Sequence, residues 1–254
     1  MLTPFTPCQT IDEVIARLDH MIERCIVEHS KLGYFAALYR NVTVGVRDGI
    51  AAGRFEDGPR MERFDVAFAN RYFEAFDRAW REEETSQSWN VAFRAAGQWP
   101  PVILQHLLLG MSAHINLDLA IAAVQIAPGE QLPGLKNDFF EITVLLAELI
   151  DRVQERIDRV SPWFRLIDRL GGRSDERLCA FAIGEVREFA WKTAQELAAL
   201  PKAEFDALVD ERDQDVARIG DAIRSPGLLL GMGLWLIRAR ETHPIPIVIE
   251  TLRL

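Results

Sequence analysis

Apolar and polar positions alternate along this chain with a helical period almost throughout. After Thr10, apolar residues recur at Ile11, Val14, Ile15, Leu18, Ile22, Cys25 and Ile26, a spacing of threes and fours that lines one face of an α-helix. Thr10 followed by Glu13 is a capping box and Gly33 is a breaker, so a helix is expected over about 11–30. A second follows over 34–52, stopped by Gly53, although the β-branched Val42, Thr43 and Val44 fit it less well. A third, over 59–81, starts at Pro59 and turns Phe64, Phe68, Tyr72 and Phe76 inward. A short helix over 88–96 is closed by Gly97. A long amphipathic one over 137–160 has Ile142, Leu145, Leu146, Leu149, Val153 and Ile157 inside. Pro128 to Gly134 reads as a surface loop, and Ser161-Pro162 opens a short helical segment ending at Gly171. Ser174 caps a helix to about 200, and 203–224 is another. In the apolar segment 227–237, the Gly231 and Gly233 pair suggests close helix packing. The tail from His243, with two prolines and β-branched residues, is expected to be extended. With no strand pairs and no repeat, the expectation is an all-α fold: one compact multi-helix domain over 1–254 with a short extended C-terminal tail.

The exception to amphipathicity is the stretch 100–127, which is apolar nearly all round and is therefore expected to be the buried central helix. It nonetheless carries His106, His114 and Asp118. At roughly 100° per residue, His106, Gly110, His114 and Asp118 drift by only about 40° per step and form one ridge. Ionisable groups inside a core are costly unless they are paired or hold a metal.

Composition narrows the partners. A formal charge of −9 and a pI near 5.2 argue against nucleic acid or an anionic membrane surface. Cys8, Cys25 and Cys179 lack metal or redox spacing and read as reduced thiols. No basic-then-apolar leader opens the chain, and polar groups interrupt its one long apolar stretch. A cytoplasmic location without a membrane span is the expectation, and a homo-oligomer is left open.

His114 and Asp118 stand one turn apart, so both can reach one point beside the helix, as two ligands of one divalent ion would. Asp65, a carboxylate within the aromatic stripe of 59–81, is the candidate third ligand. The alternative for Asp65 is a buried ion pair or a hydrogen bond to a tyrosine. His106 lies a rise of about 12 Å from His114, so it is expected as a further ligand or as the catalytic acid or base. Arg187 is the expected counter-ion of Asp65 or Asp118, and Tyr72 a supporting neighbour. Asp138 is read as a capping or first-turn acid, with a position pointing into the site as the alternative. Nucleotide-binding glycine loops, HExxH and GxSxG are missing, as are the Glu-x-x-His pairs of di-iron bundles.

Three strings stand together: FEDGPRMERFDVAFANRYF from Phe55, LQHLLLGMSAHINLDLA from Leu104, and the helix holding Arg187 and Trp191. Their combination resembles an uncharacterised, mainly actinobacterial domain-of-unknown-function family with a GMxAHIxxDL motif. That resemblance implies that His106, His114, Asp118 and Asp65 belong to one site. A more distant similarity is to helical zinc-dependent phospholipases C and single-strand nucleases, which also carry His-x-x-x-Asp on a buried helix. Their three-metal cluster uses an N-terminal tryptophan and more histidines, whereas this chain opens Met1-Leu2-Thr3 and has 5 histidines. At most one or two ions, of zinc, iron or manganese, would then be held. The expected function is a metal-dependent, hydrolase-like enzyme. The alternatives are a helical ligand-binding or structural protein whose His/Asp cluster is a buried polar network, and a metal-free pocket with His114 as general base oriented by Asp118.

Overall fold

A computed structural model describes residues 5–161 and 175–253, all of them helix, turn or connecting loop. The expected short helix at 161–171 and the Ser174 cap lie outside the described residues, as does the side chain of Cys179. The elements are α1 (Ile11–Val27), α2 (Gly33–Ala51), α3 (Gly58–Trp80), α4 (Gln87–Ala96) and the central α5 (Ile103–Ile126). After a 3-10 segment (Gly129–Leu135) come α6 (Lys136–Val160), α7 (Asp175–Ala199), α8 (Lys202–Arg224), α9 (Leu228–Arg238) and α10 (Ile245–Leu252).

Helix α5 is the hub. It is long and apolar enough to cross a bilayer, but 78% of its most apolar window is covered by neighbouring helices. α2, α4 and α8 pack on its first half, while α3 and α7 pack on its second half. Between the halves, residues His114–Asp118 form a π turn, and the Leu119 N–H reaches back five residues to the His114 carbonyl. Such a widened turn is uncommon and is often found at functional sites. At Gly110 the ring of Phe35 presses onto the backbone: a Cβ there would stand 2.4 Å from Phe35 Cγ.

Buried acids from distant elements hold the starts of the hub helix and of two helices around it. Asp138, at the start of α6, accepts the Glu56 N–H at 2.6 Å and the Asp57 N–H at 3.2 Å, and pairs with Arg60 at 2.8 Å. It therefore holds the N-terminus of α3 rather than that of its own helix. Asp213 of α8 accepts the Gln87 and Ser88 N–H groups of α4 at 2.6 and 2.9 Å. Glu241 accepts the Ile103 N–H that opens α5, at 3.1 Å. Each carboxylate accepts from backbone N–H groups at or just before the start of a helix, at the positive end of its dipole.

Three expectations are corrected. The tail is helical: Pro244 stands at the N-cap of α10 and Pro246 in its first turn, where a missing N–H removes no intrahelical bond. Burial of Val248, Ile249 and Leu252 against α1, α2 and α6 then overrides β-propensity. The loop at 129–135 is a 3-10 helix because Leu132 and Leu135 are buried. Gly231 and Gly233 make no close approach to the described residues of this chain, where a Cβ at either would meet nothing within 4 Å. Close approach belongs to Gly110 and to Gly33, where a Cβ would come within 2.6 Å of Ile249 Cδ1.

Candidate functional site

The π turn of α5 aims His114 and Asp118 at α3 and α4. From α3, one face contributes Phe68, Arg71 and Tyr72; α4 contributes Trp89, and α2 contributes Phe35 and Tyr39. Asp118 is buried, yet both oxygens are engaged. Arg71 Nε donates to Oδ1 at 2.8 Å, Trp89 Nε1 donates to Oδ2 at 2.9 Å, and His114 Nδ1 lies 3.1 Å from Oδ2. Burial alone would raise the pKa of Asp118, but Arg71, His114 and Trp89 outweigh it and the net movement is downward. An ionised Asp118 facing Nδ1 fixes the proton of His114 on that nitrogen. Burial lowers the pKa of His114 against the opposing pull of Asp118, so the imidazole is neutral at pH 7 and its lone pair is on Nε2.

The imidazole sits in an aromatic cage. Phe68 stacks on it at 3.6 Å between centroids and 6° between planes, and Tyr39 meets it edge-on at 4.7 Å. Phe35, Tyr72 and Trp89 complete the cage within 5.9 Å. Away from Asp118 the hydrogen bonding of this network stops. His114 Nε2, Tyr39 Oη and Asp65 Oδ2 are buried and have no hydrogen-bond partner in the protein. The Tyr39 ring meets His114 edge-on, and its hydroxyl, beside Thr43, feels the charge of Asp65. Burial, with Glu62 adding to it, pushes Asp65 up to about 7. Burial holds the Tyr39 hydroxyl well above its ordinary value.

The expected site residues therefore separate. His114 and Asp118 form a dyad, as their spacing indicated, and Tyr72 flanks it, stacking on Trp89 at 5.0 Å. Asp65 is buried with a free oxygen, and the nearby tyrosine is Tyr39 of α2. His106 is not part of the cage. It lines a cleft with Lys31, Tyr34, Arg238 and Glu241, with its Nε2 unpartnered and its pKa pushed down to about 3 by burial, then by Lys31 and Arg238. Arg187 is not the counter-ion of Asp118; Arg71 is. Arg187 donates to the Phe139 carbonyl and lies over the Phe139 ring at 4.5 Å, because α7 reaches the start of α6 there. Among the described residues, no three His, Cys, Asp or Glu side chains gather as a metal-sized group. Arg71 and Trp89 escaped the sequence reading because their importance lies in a contact between elements. Tyr39 carried a faint signal, as a polar-tipped ring in the apolar run at the start of α2.

The chain belongs to the family described as "Family of unknown function (DUF5995)", whose profile matches residues 11–226. That span holds Tyr39, Asp65, Arg71, Trp89, His114 and Asp118. No curated protein and no solved structure matches the chain.

Proposed function

We propose that this family member uses His114 as a general base on a small molecule or water held against Tyr39 and Asp65, in a hydrolase-like reaction. The observation that carries this reading is the contrast between the two ends of one buried network. A purely structural cluster closes on itself, because a buried polar atom without a partner costs about 1–3 kcal/mol. Here Asp118, beside the part-exposed Arg71, is saturated, while His114 Nε2 and Asp65 Oδ2 are buried and left unpaired. A neutral imidazole oriented by a carboxylate is suited to take a proton through Nε2. Tyr39 supplies an O–H donor. Asp65, with a pKa near 7, can give or accept a proton at neutral pH.

A second reading is favoured by the same orientation, since a metal-binding histidine is also held by a carboxylate on its far nitrogen. In that reading His114 Nε2 and Asp65 hold a divalent ion of the zinc, iron or manganese class. Asp118, with both oxygens occupied, then orients the histidine and does not ligate.

The test combines elemental analysis with hydrolysis of p-nitrophenyl acetate and bis(p-nitrophenyl) phosphate, in the wild type and in His114→Gln. Expected is turnover that falls at least about a hundredfold in a folded variant, without stoichiometric metal in either protein. Stoichiometric metal that disappears in the variant would transfer the assignment to the metal reading. No turnover, no metal and a variant that only loses stability would leave the non-catalytic network.

A further inference from the structure

The five rings around His114 are not equally enclosed. Phe35, Tyr39, Tyr72 and Trp89 are 8%, 4%, 1% and 2% exposed, as buried as the histidine itself. Phe68 is the exception. It makes the closest contact, ring on ring at 3.6 Å, and yet it is partly exposed. Arg71, which bonds to Asp118, is also partly exposed. Phe68 and Arg71 stand one turn apart on α3 and so share one side of that helix. The buried dyad therefore approaches solvent along this side.

The walls of the cage also differ in how they are held. Trp89 is tied to Asp118 by a hydrogen bond, and Tyr72 stacks on Trp89. Phe35 is wedged against the α5 backbone at Gly110. Phe68 is held by ring contacts, with His114 and, more loosely, with Phe64 at 6.5 Å and Tyr39 at 6.0 Å. A partly exposed phenyl ring can change rotamer without breaking any hydrogen bond, and such motions are fast beside those of a packed core. Phe68 is thus the wall whose displacement costs least.

We infer that Phe68 is the gate of the cage and its specificity-determining residue: it swings toward solvent and admits the planar part of a substrate to the face of His114 that it now covers. The inference rests on the reading of His114 as a reacting group. The slot that Phe68 leaves is one ring thick, because the two planes lie within 6° at 3.6 Å. A flat aryl group or a conjugated carbonyl repeats that stacking, and a saturated ring of the same size is too thick for it. Swinging the gate back then shields the reacting group from water, which is the ordinary use of a moving side chain or loop over a buried base.

The test is carbethoxylation of the full chain with diethyl pyrocarbonate, which attacks a neutral imidazole nitrogen, read at His114 by peptide mass spectrometry. His20, His29 and His243 are exposed and serve as internal references. Phe68→Ala is expected to raise the rate at His114 at least about tenfold by removing the gate. Phe73→Leu is the control, since Phe73 is a buried ring of the same helix outside the cage, and it should leave the rate as in the wild type. In Phe68→Ala, benzamide at about 5 mM should slow the labelling at least about threefold, as a Kd of about 2 mM gives. Cyclohexanecarboxamide at the same concentration should not. If Phe68→Ala does not fold, Phe68→Leu takes its place in both measurements. The inference is overturned if the Phe68 variant labels His114 no faster than Phe73→Leu does, or if the two amides protect alike. None of these readings depends on turnover. Faster labelling with selective protection by benzamide, in a protein that hydrolyses neither nitrophenyl ester, keeps the gate and sinks the proposed reaction.

Discussion

Asp65 is the residue at which stability and the proposed chemistry pull in opposite directions. Its carboxyl is buried with one oxygen unpaired, and burial lifts it from 3.8 to about 7. For an acid raised in the folded state, the stability tied to the protonated form is fully present below pH 3.8 and is lost as pH rises through about 7. The cost is therefore complete above pH 7. Asp65→Asn keeps the shape and removes the charge, so it is expected to stabilise the fold by on the order of 1–3 kcal/mol above pH 7 and to have little effect near pH 4. Urea denaturation of both proteins at pH 4 and pH 8 measures it. A variant less stable than wild type at pH 8 would mean that Asp65 has a charged partner in solution. A gain in stability accompanied by loss of turnover would mark Asp65 as kept for function.

At the level of the helix, α5 is defined by where other elements approach it. Gly110 stands at its tightest contact, under the Phe35 ring, in a part of α5 where helix propensity alone would favour alanine. Gly110→Ala is expected to destabilise by about 1–3 kcal/mol, since Phe35 would have to leave its position against Tyr72 and Trp89. In α9, Gly231→Ala meets none of the described residues and should instead stabilise by about 0.5–1 kcal/mol. Thermal melts of the two variants test the contrast, and an unchanged Tm for Gly110→Ala would show that the Phe35 contact is loose in solution. The same pair shows what the sequence makes legible. Periodicity revealed the helices, the burial of α5 and the His114–Asp118 dyad, because each depends on spacing within one segment. It could not reveal which glycine is pressed by a neighbour, that Arg71 and Trp89 hold Asp118, or that Asp138 caps α3. Each of those facts is a long-range pairing between elements that look self-sufficient. The α10 helix was misread for a related reason: its prolines signal extension locally, and only the apolar surface it covers decides otherwise.

Over the whole molecule, the neutral histidines set how the fold answers acid. His106 is pushed from 6.5 down to about 3, through burial and then Lys31 and Arg238, and His114 is lowered by burial. For a base depressed in the folded state, the stability tied to the neutral form is fully present above pH 6.5 and is lost as pH falls toward the folded value. Asp65 works the other way over part of that range, so the bare pH profile of the wild type mixes opposing contributions. The difference between wild type and His106→Gln isolates one of them. Glutamine cannot take up the proton, so the wild type should lose stability relative to the variant by up to about 1.4 kcal/mol per pH unit between pH 6.5 and pH 3, and by nothing above pH 7. Parallel denaturation curves at pH 7, 5.5 and 4.5 give this difference directly. A flat difference would mean that His106 titrates normally in the folded chain, which requires water or an anion to reach its ring.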